Sequence, residues 1–169
     1  MKRFSNLSTN RKYVDYDLNK FFISALCEEF IAWYYYVTIG KVLYGPDRVS
    51  IEKFFEETAK DEYEDHAEWL MKRMQELGIP MSDVYDPSTW NMWAVHPFVP
   101  FDKSEEINVA NAINKAIKME EEAIETYTEF ERFTRDNDPV TNKKIKEILA
   151  DEIEHLTELN NFAKDLSVK

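Results

Sequence analysis

Only three glycines occur in 169 residues, so this chain has few places to turn. Tight turns between strands lean on glycine for left-handed backbone, and a sheet-rich fold is disfavoured from the outset. Between the few breaks lie long stretches rich in Glu, Lys, Ala and Leu, the composition of an all-α protein. The length suits one domain (1–169), able to bury a core without disulfides or a structural metal.

Four segments carry helical periodicity. The first is predicted from about Asp15 to Leu43, with Leu18, Phe21, Phe22, Ala25, Leu26, Ile31 and Ala32 apolar, and stops at Gly45-Pro46. The second runs from Ser50, an N-cap, to Leu77, where Gly78 ends it. The third runs from Ser104 to Arg135. The fourth takes Asp138 as N-cap and Pro139 in its first turn, and extends to about Asp165. Short links make the first two helices, and the last two, antiparallel hairpins. The crossover at 79–103 holds Pro80, Pro87, Pro97, Pro100, Trp90 and Trp93, and is too long for a hairpin loop and too apolar for a free linker. The expected architecture is therefore a four-helix bundle of two antiparallel hairpins with one long crossover. A short helix is expected around Pro87–Val95, outside the bundle or against a neighbouring subunit, and His96 reads as structural or interfacial.

A net charge of −12, from 33 acidic and 21 basic residues, repels a phosphate backbone and draws cations. Nucleic acid is not an expected partner. Cys27 is the sole cysteine, which excludes disulfide frameworks, zinc ribbons and rubredoxin-type sites within one chain. The N-terminal Met1-Lys2-Arg3-Phe4-Ser5-Asn6 leads into polar sequence, so no signal peptide is expected. No run approaches the roughly 18 apolar residues of a membrane helix. A reducing cytoplasm fits these features.

The chemistry lies in a repeated phrase. His155 closes Asp151-Glu152-Ile153-Glu154-His155, and Glu152, three residues earlier, shares its helical face, so both can reach one metal. Alone, such a pair in an acidic chain is ordinary helix surface. But His66 closes Asp61-Glu62-Tyr63-Glu64-Asp65-His66, the same phrase with one residue added, and each phrase falls on the second helix of a hairpin. The first helix of each hairpin carries Glu29 with Tyr36, or Glu120 with Tyr127, two turns apart. Glu29 precedes Glu62 by 33 positions and Glu120 precedes Glu152 by 32. Folded together, the hairpins present four carboxylates and two imidazoles to one interior point. Burying each such charge unpaired costs on the order of several kcal/mol. Two divalent cations would neutralise them, and this donor set suits iron or manganese better than a thiolate-loving metal.

On these residues the chain resembles the ferritin-like superfamily, bacterioferritins and Dps-like miniferritins in particular. Glu29-Phe30-Ile31-Ala32 with Tyr36 is similar to the bacterioferritin first-helix motif. Glu120-Glu121-Glu122-Ala123-Ile124 with Tyr127 is similar to the third-helix motif Glu-x-x-Ala-Ile-x-x-Tyr. Asp138-Pro139-Val140-Thr141 and the run from Ile148 to His155 resemble the Dps-like fourth helix, and Asp86-Pro87-x-x-Trp90 resembles that subgroup's crossover. The resemblance implies a ferritin-like bundle holding two iron ions, with manganese or zinc as alternative occupants. It assigns Glu29 and Glu120 as terminal ligands, Glu62 and Glu152 as bridging ligands, and His66 and His155 as one nitrogen ligand for each iron. Tyr36 and Tyr127 would orient carboxylates by hydrogen bonding, or serve simply as large core aromatics.

Three departures from the family pattern bear on this set. The family places histidine three residues after the second-helix glutamate, whereas Glu62 and His66 are four apart. Either a π-bulge absorbs the extra residue, the reading we favour, or Glu62 is not the bridge. Bacterioferritins bind haem through a methionine directly after that glutamate; Tyr63 stands there, and no haem is expected. Some Dps-like proteins carry a cysteine pair near the site, and this chain has Glu122 before Ala123 instead.

The implied activity is that of a ferroxidase in a ferritin- or Dps-like cage. It would oxidise Fe(II) with oxygen or hydrogen peroxide, for iron storage and protection against oxidative stress. The resemblance also implies a homo-oligomeric shell of twelve subunits with inward-facing acidic residues that nucleate iron, while the ligands in the third and fourth helices argue for an intrasubunit site. Two other readings stay open. A di-metal peroxidase or oxygenase acting on a small organic substrate would need an apolar channel to the site. A non-catalytic helical interaction module would leave the Glu and His residues facing solvent.

Overall fold

The computed structural model describes residues 11–80 and 105–167, with side chains from residue 18 onward. These residues form four rods. Helix α1 is Arg11–Gly40. Helix α2 spans 48–77: it is α-helical over Arg48–Lys60, π-helical over Asp61–Ala67, and α-helical again over Glu68–Leu77. Helix α3 is Val109–Thr134 and α4 is Pro139–Ser167. No helix among the described residues is long and apolar enough to cross a membrane.

The core shows how the rods are arranged. One apolar block gathers Tyr35, Tyr36 and Ile39 of α1, Ile51 and Phe55 of α2, Ala112, Ile113 and Ala116 of α3, and Leu159 of α4. A second gathers Phe22 and Leu26 of α1, Leu70 and Met74 of α2, Tyr127 and Phe130 of α3, and Ile145 and Ile148 of α4. Residue numbers rise from the second block to the first in α1 and α4, and fall in α2 and α3. Helices α2 and α3 therefore run the same way, which only a long connection permits. This is the expected pair of antiparallel hairpins with a crossover between them. Between the two blocks lies a layer of buried polar side chains: Glu29, Glu62, His66, Glu120, Glu152 and His155.

Local chemistry sets the helix ends. Gly78 takes φ 72°, and a Schellman pair forms as its N–H donates to Gln75 O (3.1 Å) and the Ile79 N–H to Met74 O (2.9 Å). Asp138 accepts from the Thr141 N–H (3.1 Å), and both its carboxylate oxygens accept from Arg73 Nη2 (3.0 Å each), so the cap of α4 also ties it to α2. Two starts differ from expectation. Asn108 rather than Ser104 opens α3, because its extended backbone lets its side chain accept from the Asn111 N–H at 2.9 Å. Helix α2 starts at Arg48, with Ser50 inside the first turn, because Gly45 (φ 115°) and Asp47 (φ 61°) complete the reversal earlier. Ser104, the expected short helix at Pro87–Val95, Trp90 and His96 lie outside the described residues.

Candidate metal centre

The segment Asp61–Ala67 is π-helical, so the extra residue between Glu62 and His66 is absorbed within the helix. Glu62 and His66 both stay buried, and Tyr63 is turned outward against Phe30 and Trp33 (ring centroids 6.2 and 5.6 Å). Helix α4 needs no such device, because Glu152 and His155 stand three apart on regular helix. Glu29 comes from α1 and Glu120 from α3, and all six side chains are buried.

Their donor atoms form two overlapping groups. Glu29, Glu62, His66 and Glu152 each bring one donor atom within 4.8 Å of the others; so do Glu62, Glu120, Glu152 and His155. Glu62 and Glu152 belong to both. Each group adds one carboxylate from the first helix of a hairpin and one imidazole from a second helix. The six expected residues are thus brought together, and the sharing falls on the two expected to bridge.

Both histidines turn Nδ1 inward. His66 Nδ1 lies 3.2 Å from Glu29 Oε2, 3.3 Å from Glu62 Oε2 and 3.2 Å from Glu152 Oε1. His155 Nδ1 lies 3.6 Å from Glu62 Oε1 and 3.5 Å from Glu152 Oε2. The outward nitrogens face aspartates in a reciprocal pattern. His66 Nε2 meets Asp151 Oδ2 at 3.3 Å, and His155 Nε2 meets Asp61 Oδ2 at 3.5 Å. Each aspartate immediately precedes the shared glutamate of the opposite phrase. Such a partner fixes the imidazole's tautomer and ring orientation and makes its inner nitrogen more basic. Spacing arguments passed over Asp61 and Asp151, although both phrases open on Asp-Glu and the signal was there.

Tyr36 and Tyr127 cap the layer from opposite apolar blocks. The Tyr36 hydroxyl donates to Glu120, and the Tyr127 hydroxyl donates to Glu29. Each tyrosine thus serves the glutamate of the other hairpin rather than the one two turns before it. The expectation that they orient carboxylates has a geometric counterpart, with the partners exchanged. Glu28, which no spacing argument singled out, sits half-buried beside Glu29 and accepts from Thr126 Oγ1 at 2.7 Å.

The electrostatics are those of a site short of positive charge. Burial, and then the charge of Glu152, push the Glu62 and Glu120 carboxyls well above the ordinary range. Burial pushes His66 down, but the charge of Glu29 and hydrogen bonds to Asp151, Glu152 and Glu29 outweigh it and carry the imidazole up. In His155, Glu152 likewise overcomes burial. For Glu152 burial again acts upward, but the two imidazoles hold it low. Glu62 and Glu120 are thus pushed up while Glu152 is held down. Like charges packed together out of water favour retaining protons on Glu62 and Glu120. Glu62 Oε1 and His155 Nδ1 are buried without a hydrogen-bond partner. A buried donor set of hard oxygens and imidazole nitrogens with unsatisfied lone pairs could hold metal ions. Cys27 is no rival ligand, since burial and then Glu28 push its thiol up to about 12.

A family model for the ferritin-like domain matches residues 23–168. Among solved structures, the chain is similar to a dodecameric thioferritin, the bacterioferritin-related protein from Bacteroides fragilis. The identity is 29% over 90% of this chain and 87% of that one, with a TM-score of 0.78. A ferritin-like, diiron-carboxylate protein from Bacillus anthracis str. Ames is 21% identical over 90% of this chain and 99% of that one, at TM-score 0.71. Dps from Thermosynechococcus elongatus is 16% identical over 89% and 92%, at TM-score 0.73. The last two likenesses speak to the fold alone. No curated protein matches the chain significantly.

Proposed function

This chain belongs to the ferritin-like domain family, and from that premise we propose that it is a ferroxidase binding two Fe(II) ions as substrate between its four helices. The observation that carries this reading is the pair of overlapping donor groups that share Glu62 and Glu152. In it, Glu29 and His66 hold one ion, Glu120 and His155 the other, and the two shared carboxylates bridge them. Tyr36 and Tyr127 fix the terminal carboxylates, while Asp151 and Asp61 fix the imidazoles. Each ion gives up one electron. The two electrons, with two protons, reduce hydrogen peroxide to two waters or oxygen to hydrogen peroxide. Protons displaced from Glu62 and Glu120 by the incoming ions are available close by.

The cavity that reaches the carboxylates favours a small oxidant over an organic substrate. Its volume is about 20 Å³, lined by Glu28, Ile31, Ala32, Met119, Glu122 and Ala123 around the buried glutamates. That is room for about one water-sized molecule. On the opposite face, a cleft of about 530 Å³ between α2 and α4 carries Glu57, Asp61, Asp65, Asp151, Glu154 and Glu158. We assign it to collecting oxidised iron, for storage within a shell of twelve subunits like the dodecamer formed by the Bacteroides fragilis relative.

Aerobic addition of Fe(II), followed by near-ultraviolet absorbance, tests the activity. Losing an outer partner of a metal ligand costs about 10–100-fold, and losing a ligand should cost no less. Glu120→Ala should therefore oxidise iron about 100-fold more slowly than the unaltered protein. Equal rates at the buffer's own level for both proteins would refute the reading.

A further inference from the structure

The geometry points to Glu28 and Glu122 as the carboxylates that admit divalent cations to the centre, through the narrow gap between α1 and α3. This rests on the ferroxidase reading above and adds a route to it. The small cavity is bounded by Glu28 and Ala32 of α1 and by Glu122 and Ala123 of α3, and it reaches Glu62, Glu120 and Glu152. Ala32 and Ala123 keep the gap open, since a larger side chain at either position would fill so small a space. Thr126 stands one turn after Glu122 on α3 and donates to Glu28 Oε1 at 2.7 Å. That bond holds Glu28 of α1 over the gap, on the same side as Glu122. At the inner end Glu62, itself 1% exposed, lines the cavity, and its Oε1 has no hydrogen-bond partner. The passage therefore has an acceptor at each end and carboxylates between.

The opposite face is wider but less direct. From the acidic cleft a cation meets Asp61, Asp151 and His155, with the fully buried His66 behind them. From the α1–α3 face the polar groups it meets are Glu28, Glu122 and the buried glutamates. Carboxylates lining a low-dielectric mouth draw cations, and such focusing raises on-rates by about 10–10³.

Stopped-flow binding of Co(II), read by its visible absorption in the full-length assembled protein, separates route from site. Glu28→Gln keeps an acceptor for Thr126 and removes the carboxyl group, and Glu122→Gln changes an exposed position. Each should slow Co(II) uptake about fivefold and leave two Co(II) per chain at equilibrium. Glu121→Gln, next in sequence but outside the gap, should load within about twofold of the unaltered protein. The proposal is overturned if Glu28→Gln and Glu122→Gln load at the unaltered rate, or if all three variants slow alike. It is equally overturned if Glu154→Gln, in the cleft, is the variant that slows. An unaltered protein that never takes up two Co(II) would instead defeat the centre itself.

Discussion

The two nitrogens of each imidazole divide the work at the site. Nδ1 faces the shared glutamates and Nε2 faces an aspartate from the opposite second helix. Asp61→Ala and Asp151→Ala should thus each weaken Co(II) binding about 10–100-fold, measured by competition with a chelator; unchanged affinity would mean that the aspartates only decorate the cleft. Protonation gives a second test. Glu62, Glu120, His66 and His155 are raised in the metal-free fold, so they hold more protons folded than unfolded. Stability from such groups is present below their unfolded values, 4.5 for the carboxyls and 6.5 for the imidazoles, and is lost as pH rises toward the folded values. Glu152 acts the other way, losing its contribution as pH falls below 4.5. Between about pH 5 and pH 8 the raised groups lose their contribution while Glu152 keeps its own, so the metal-free protein should melt at lower temperature at about pH 8 than at about pH 5. Thermal melts with and without Co(II) check this, and Co(II) should abolish the trend. The residues of the site were legible because two histidines shared one phrase. Glu28 was not, because adjacent glutamates carry no spacing signal in an acidic chain.

The elements divide into parts the sequence could declare and parts that packing decided. Four amphipathic periods and the Gly78 and Asp138-Pro139 signals place the rods. The start of α3 falls at Asn108 because its side chain meets the free amide of Asn111, a contact that periodicity does not reveal. Asn108→Ala should cost about 1 kcal/mol of stability in urea unfolding. The π-helical segment was foreshadowed by a single surplus residue between Glu62 and His66. If Tyr63 is that surplus, deleting it restores the three-residue spacing and leaves the rest of α2 in register. The deletion should cost roughly 1–3 kcal/mol through lost aromatic contacts with Phe30 and Trp33, while binding of two Co(II) survives. Loss of metal binding by a folded deletion variant would show that the distortion itself sets the ligand geometry.

At the scale of the whole molecule, the bundle leaves Trp33, Tyr34 and Val37 exposed on one side of α1, at 36%, 46% and 40%. In the proposed shell, apolar residues so placed at helical spacing would be covered by another copy. Val37→Asp should convert a large assembly into smaller species by size-exclusion chromatography with light scattering; an unaltered chain that elutes as a monomer would remove the shell from the account. The bundle was legible in the periodicities and connection lengths, whereas nothing in the spacing of residues revealed the size of the cavity that weighs against an organic substrate. The central claim is that four helices close around two metal ions. Anomalous diffraction at the iron edge, from crystals loaded with Fe(II), tests it most directly. The account predicts two peaks per chain, about 3.5–4 Å apart, each within reach of both Glu62 and Glu152. A single peak, or peaks confined to the cleft beside Asp65 and Glu154, would contradict it.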